Sequence, residues 1–281
     1  MLAARYAPRH MRRYRFQIVN VFAETTFGGN PLAVFEDARG LSDAELQAVA
    51  DQLNLSETTF VFPSDRHAAR VRIFSPGYEM AFAGHPTLGT SHVVRGLGLG
   101  GDAFALELNV GPIDVRAKGD VWELSAGAPR WSEPVTPPPL GLDAAQVLPG
   151  ARWVSTGIEQ LLVPLRDAAA VDAARPTSPL PRRAGAQVGL YVFAPVAGGF
   201  RSRFFWEQHG ELREDPGTGS ACANLGGWLL AEGRAVPLEA RIEQGHAVGR
   251  LNVLSLRVDA TGHIHVGGRV VPLMTGELTL R

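Results

Sequence analysis

Apolar and polar residues alternate through most of Arg15-Phe16-Gln17-Ile18-Val19-Asn20-Val21-Phe22, the period of a strand with one buried face. The pattern breaks at Thr26-Phe27-Gly28-Gly29-Asn30-Pro31 and resumes at Leu32-Ala33-Val34-Phe35, which predicts a hairpin-like β start. A helical period follows. Ser42 stands in the cap position, Glu45 three residues later, and Leu46, Val49, Ala50 and Leu53 on one face, so the helix should end near Asn54. Strands are predicted again at Thr58 to Phe62 and Arg70 to Phe74. From Pro86 to about Leu97 small and apolar residues occupy nearly all sides, the pattern of a helix enclosed by protein. Phe104 to Leu108, Ile113 to Ala117 and Val121 to Ser125 complete a mostly β first half.

Between Trp131 and Gly150 five prolines, Pro134, Pro137, Pro138, Pro139 and Pro149, resist regular structure and suit a crossing between lobes. This puts one lobe at 12–130 and another at 131–281, with the C-terminal strands able to pack back onto the first. The second half repeats the plan. Strands are predicted at Trp153 to Thr156, Gln160 to Leu165, Leu190 to Ala194 and Arg201 to Trp206. Asp215-Pro216-Gly217-Thr218-Gly219-Ser220 then opens a small-residue helix running to about Glu232. Final strands fall near Glu239 to Glu243, Leu251 to Val258, Ile264 to Val266 and Gly276 to Leu280. About 130 residues separate the two Gly, Pro and Thr-rich turns, a spacing that resembles an internal duplication.

Composition narrows the function classes. With 281 residues, 45% hydrophobic, the chain can bury a substantial core, and a net charge of -1 offers no general attraction to nucleic acid or an anionic membrane. No apolar run approaches the roughly 20 residues that cross a bilayer. The basic segment ending at His10 lacks the apolar stretch of a secretory signal and reads as a loose tail, with Met11 an alternative start. One cysteine, Cys222, excludes an internal disulfide and any two-thiol mechanism within one chain, and fits a reducing, cytoplasmic compartment. Lys118 is the only lysine, in a turn signal, which argues against Schiff-base chemistry.

The two predicted helix starts carry Gly84, Thr87, Gly217, Thr218, Gly219 and Ser220, small enough for a ligand to approach the backbone. A helix N-terminus presents unpaired N–H groups and about half a positive charge, a ready site for a carboxylate. Ordinary capping by Thr and Ser is the alternative on these residues alone. Gly217 to Ser220 lacks the lysine of a phosphate loop, the spacing of a dinucleotide fingerprint and the pattern of a nucleophile elbow. His263 and His265 offer half a metal site without further ligands at a metal's spacing, so neither metal nor cofactor is expected.

Gly29-Asn30-Pro31-Leu32-Ala33-Val34, Leu55-Ser56-Glu57-Thr58-Thr59-Phe60, Phe82-Ala83-Gly84-His85-Pro86-Thr87 and Glu214-Asp215-Pro216-Gly217-Thr218-Gly219-Ser220-Ala221, with Gln244-Gly245 and Gly249-Arg250, resemble in order the signature blocks of the phenazine-biosynthesis F-type family. The resemblance spans about Phe16 to the C-terminus. It implies an α+β fold of diaminopimelate-epimerase type: two pseudo-symmetric lobes, each a mainly antiparallel or mixed sheet rolled around a central helix, with the active site in the cleft between them. It also implies that Glu57 shuttles a proton, assisted by His85 and Asp215, without a cofactor, on a small carboxylated metabolite. Asn30, Gly84, Thr87, Gly217, Thr218, Gly219 and Ser220 would bind that substrate, and a homodimer is common among similar proteins. Read without it, Glu57 is an exposed strand-start carboxylate and Asp215 a helix cap. The epimerases of this fold use a cysteine at each helix start; here Gly84 and Asp215 stand there, and Cys222 reads as a buried, inert thiol. Ala81, Gly217 and Leu251-Asn252 depart from the usual proline, valine and Pro-Ser. An amino- or imino-acid epimerase or dehydratase, and a non-catalytic anion-binding protein, are the rival functions.

Overall fold

The alternating opening segment forms β1 (Arg12–Val21) in the computed structural model, which describes residues 11–183, 186–187, 189–208 and 210–281. The basic tail read from the sequence lies outside these residues. After the Gly28-Gly29 break the chain returns as β2 (Asn30–Phe35), antiparallel to β1 with Phe16 opposite Phe35. Helix α1 (Asp43–Leu53) has Ser42 as its N-cap, a complete capping box with Glu45, and Asn54 in the left-handed conformation as its C-cap. Then come β3 (Glu57–Phe62), β4 (Ala69–Ser75), β5 (Tyr78–Met80), α2 (Gly84–Gly96), β6 (Ala103–Leu108), β7 (Gly111–Lys118) and β8 (Val121–Ser125).

The second half contributes β9 (Arg130–Trp131), β10 (Arg152–Ser155), β11 (Glu159–Pro164), α3 (Ala168–Ala173), β12 (Arg182–Arg183), β13 (Ala186–Gln187), β14 (Gly189–Val196), β15 (Gly199–Gln208) and β16 (Glu211–Asp215). It ends with α4 (Gly219–Ala231), β17 (Leu238–Gln244), β18 (Asn252–Val258) and β19 (Ile264–Leu280). β5, β9, β12, β13, β16 and α3 are absent from the sequence prediction. The first is three residues long, and α3 is a six-residue, alanine-rich helix that shows no helical period. β19 replaces the two separate strands predicted at its ends. Its interior glycines mark close approaches rather than turns: a Cβ on Gly267 would stand 2.4 Å from the Trp122 carbonyl oxygen. Pro272 sits beside a register shift between Ile18 and Val19 of β1, where a ladder N–H is not needed.

Taken in order, β1, β2, β3, β4, β6, β7, β8 and β19 pair side by side, and β19 returns to β1, so this sheet closes on itself as a barrel. The series β10, β11, β14, β15, β17, β18, β19 repeats the senses of the first seven strands: β11 is parallel to β14 and β15 to β17, as β2 is to β3 and β4 to β6, and the rest are antiparallel. α3 and α4 occupy the same places in that series as α1 and α2.

Nine residues of α2 and nine of α4 are buried, and both helices share one hydrophobic cluster with the inner faces of the strands. Gly89 shows why α2 is built of small residues: a Cβ there would meet Leu32 at 2.6 Å and Val21 at 2.8 Å. Helix α1 instead covers the outer cluster of Phe35, Phe60 and Phe74, and α3 that of Leu161, Val163 and Val192. Among the described residues no helix is long and apolar enough to cross a membrane.

Candidate active site

Gly29 adopts a φ of +75°, and a Cβ there would lie 2.5 Å from the Val21 carbonyl oxygen, so only glycine makes this turn into Asn30. Arg250 pins the turn from outside, donating to the carbonyls of Gly29 (2.8 Å) and Gly28 (3.3 Å) and to Asn20 Oδ1 (3.0 Å). The fifth signature block is therefore a scaffold for the first. Asn30, fully buried, spends its Nδ2 on Asp215 Oδ1 (3.2 Å) and the Gly217 carbonyl (3.1 Å).

Glu57 is the first residue of β3, opposite Leu32 of β2. Its side chain is 15% exposed, which removes the reading of a solvated strand-start carboxylate. His85, the second residue of α2, is buried at 7%, and its Nε2 lies 3.2 Å from Glu57 Oε2. Among the described residues neither atom has any other hydrogen-bond partner. Burial, reinforced by the negative charge of Asp215, pushes the Glu57 carboxyl up to about 8. Burial pushes the His85 imidazole down to about 3, opposed by the hydrogen bond its ring makes to the Pro31 backbone. At neutral pH the pair is a carboxylic acid beside a neutral imidazole, not an ion pair.

Asp215 closes β16 and is not the cap of α4, because the N-cap is Thr218. Burial also raises the Asp215 carboxyl, against the lowering effect of Thr218, the Gly217 N–H and Asn30. Glu57 has no such donors, and the negative charge of Asp215 adds to the burial that raises it. The Thr218 hydroxyl donates to Asp215 Oδ2 (2.5 Å) while Gln244 Nε2 donates to Thr218 Oγ1 (2.9 Å) and the Asp215 carbonyl (2.8 Å).

Both helix starts are uncapped by side chains. Ala83 is the N-cap of α2, and Thr218 turns its hydroxyl to Asp215 instead of back to its helix. Ser42 shows what ordinary capping looks like in the same chain. The two starts meet: a Cβ on Gly84 would stand 3.9 Å from Gly219 Cα. A cavity of about 590 Å³ opens here, its wall including Gly84, Gly219, Ser220 and the side chains of Phe22, Phe82 and Leu88. Phe22 holds a φ of +61°, a strained setting for an aromatic residue at a cavity wall.

Of the residues read as substrate-binding, Gly84, Gly219 and Ser220 line this cavity. Thr87 does not line it: its hydroxyl donates to the Ala83 carbonyl at 2.7 Å, at the start of its own helix, and is buried. Asn30, Gly217 and Thr218 also stand outside the wall, where they support Asp215. Glu57, His85 and Asp215 are not part of the wall either; they adjoin it through Gly84, which precedes His85. Gln244, Arg250, Gln160 and Asn224 were not read as site residues. The first two lay in a signature block without a role; the amides Gln160 and Asn224 give no signal in a strand and a helix of ordinary period. Cys222 is fully buried, and burial pushes its thiol up, away from the reactive thiolate. His263 is exposed just before β19 and His265 is largely buried within it, both against Asp259.

The family model described as phenazine biosynthesis-like protein matches residues 19–276. The chain is 38% identical to an uncharacterized isomerase of Pasteurella multocida, over 94% of each chain. It is 34% identical to the trans-2,3-dihydro-3-hydroxyanthranilate isomerase of Pseudomonas aeruginosa, covering 89% of this chain and 92% of that one. A crystal structure of a phenazine biosynthesis protein from Bacillus anthracis superposes with a TM-score of 0.82, at 23% identity over 96% of this chain and all of that one.

Proposed function

The chain belongs to the phenazine biosynthesis-like family and is an isomerase, and from that premise we propose that it moves a proton between two carbons of a small carboxylated, cyclic metabolite without a cofactor, using Glu57 as the shuttle. The observation that carries this reading is the unpartnered Glu57 and His85 pair, 3.2 Å apart and shut away from bulk water. A carboxyl raised to about 8 is both acid and base near neutrality, so the same group can take a proton from one carbon and return it to another. One C–H bond breaks and another forms, and no redox partner enters.

His85 assists as a neutral ring. Proline offers only a carbonyl, so the bond to Pro31 requires the ring to donate, and the unpartnered Nε2 leaves Nδ1 as the donor. Nε2 then holds a lone pair towards Glu57 and accepts its proton's hydrogen bond between turnovers. The substrate carboxylate rests on the free N–H groups of α2 and α4, where charge developing on an enolate-like intermediate is stabilised as well. In this reading the two matching strand series are two lobes meeting near residue 130, each wrapped on its own helix, with the reaction between them.

Trans-2,3-dihydro-3-hydroxyanthranilate is the first compound to test, followed by a metabolite extract, in heavy water. We expect solvent deuterium in the product, and at least about a thousandfold loss of turnover in Glu57→Gln, in keeping with loss of general acid–base catalysis. Full turnover by Glu57→Gln would overturn the assignment.

A further inference from the structure

A chain of buried amides runs from the β10–β11 turn to the cavity, and each bond fixes the direction of the next. The Thr156 backbone N–H and hydroxyl both donate to Asn224 Oδ1 at 2.8 Å. An N–H can only donate, so this oxygen is an acceptor and the Asn224 amide is set. Its Nδ2 donates to the Ile158 carbonyl (2.9 Å), which can only accept, and to Gln160 Oε1 (2.8 Å). Gln160 is fixed in turn and must present Nε2 to Ser220 Oγ at 2.9 Å. Gln160 is 2% exposed and Asn224 fully buried, so water does not blur the order.

Ser220 receives that bond as an acceptor, and its own proton has no protein acceptor among the described residues. The cavity it lines is the open direction. We infer that Gln160 and Asn224 are positioning residues that hold the Ser220 hydroxyl as a dedicated donor into the cavity, so that the site selects an acceptor oxygen, a carboxylate or carbonyl, and rejects a donor group in that place. This rests on the reading of the cavity as the substrate site and adds residues that reading does not use. It also explains two buried polar residues behind a wall rich in apolar groups: an amide relay is stable only when every member is satisfied, and here the last member is satisfied by the ligand.

Benzoate and benzamide serve as probes, titrated calorimetrically against wild type, Gln160→Met, Ser220→Ala and the double variant. Gln160→Met leaves Asn224 its bond to Ile158 and adds no charge. Benzoate should bind about tenfold or more weakly in Gln160→Met and in Ser220→Ala, the loss of one hydrogen bond to a charged group. The double variant should be no weaker than Ser220→Ala alone, within about twofold, since Gln160 acts only through Ser220. Benzamide, whose carbonyl is a neutral acceptor, should weaken in the same variants but by less than benzoate, about the few-fold of one uncharged hydrogen bond. Gln160→Glu, an acceptor that would draw the serine proton away from the cavity, should show the same dependence on Ser220 if the methionine variant does not fold. Losses that add, an unchanged benzoate affinity in Gln160→Met, or no saturable benzoate binding to wild type would each overturn the relay. Glu57→Gln should keep this coupling while losing turnover. A variant with coupling and full turnover would sink the Glu57 shuttle and leave the relay standing.

Discussion

Glu57 and His85 perturb the pH dependence of stability in opposite senses. The native Glu57 holds its proton up to about pH 8, whereas the unfolded chain releases it near 4.5; the native state binds more protons in that window, so stability falls as pH rises through it. The unfolded His85 takes a proton below 6.5 and the native one only near 3, so that contribution grows as pH rises from 3 to 6.5. They offset one another between 4.5 and 6.5, and Glu57 alone acts between 6.5 and 8. Urea unfolding of wild type should therefore lose at most about 1.4 kcal/mol per pH unit from this residue between pH 6.5 and 8. Glu57→Gln should remove that slope; an equal slope in both proteins would contradict the buried proton. Catalysis should follow the same group: kcat/KM for the converted substrate should rise with pH towards about 8 if ionised Glu57 begins the reaction.

At the scale of elements, the site depends on turns as much as on helices. Gly245, with a φ of +89°, brings the Arg250 carbonyl so close that a Cβ would stand 2.1 Å from it, and Arg250 then reaches across to the Gly29 turn. Gly217 is packed the same way: its Cβ position is already filled by Asn252 Oδ1, at 2.2 Å. Two of the positions read as departures, Gly217 and Asn252, are thus neighbours that share one volume. Gly217→Val should cost about 1–3 kcal/mol by overpacking and disturb Asp215 two residues away, while Gly217→Val with Asn252→Ser should recover most of it. Thermal melting of wild type and these two variants tests this, and equal destabilisation of the single and double variants would refute it.

What the sequence disclosed follows the same logic. Helix α1 was readable to its last residue because Ser42, Glu45 and Asn54 encode its ends locally. Glu57 and His85 could be named through the motif blocks, yet their burial comes from strands and helices far apart in the chain. The bond that Thr87 makes was not legible, because a threonine in the first turn has two hydrogen-bonding choices and only the packed helix selects the Ala83 carbonyl. The continuity of β19 was hidden by Gly267, Gly268, Pro272 and Gly276, which look like breakers until Trp122, Phe22 and the β1 bulge are in place against them.

For the whole molecule, β19 is the common member. Its start pairs with both β18 and β8, and from Val270 onward it pairs with β1, where Arg12 faces Leu280 and Phe16 faces Gly276. Removing residues 276–281 would strip the partner from the first half of β1 and uncover Phe16, Tyr14 and the outer cluster they join. Such a truncation should lower the melting temperature and expose dye-binding apolar surface even though it lies far from Glu57 in sequence. A truncated protein with wild-type melting would show that barrel closure does not need this end.

The same pairing has a consequence in time. Of the described strands β1 is made before all others and β19 after them, and at about 5–20 residues per second the ribosome leaves roughly ten to fifty seconds between them. Throughout that interval the N-terminal strand waits with an unpaired edge, able to join the wrong neighbour. Yield in the cell should thus be governed less by how stable the finished barrel is than by how well its earliest strand is shielded until its partner is synthesised.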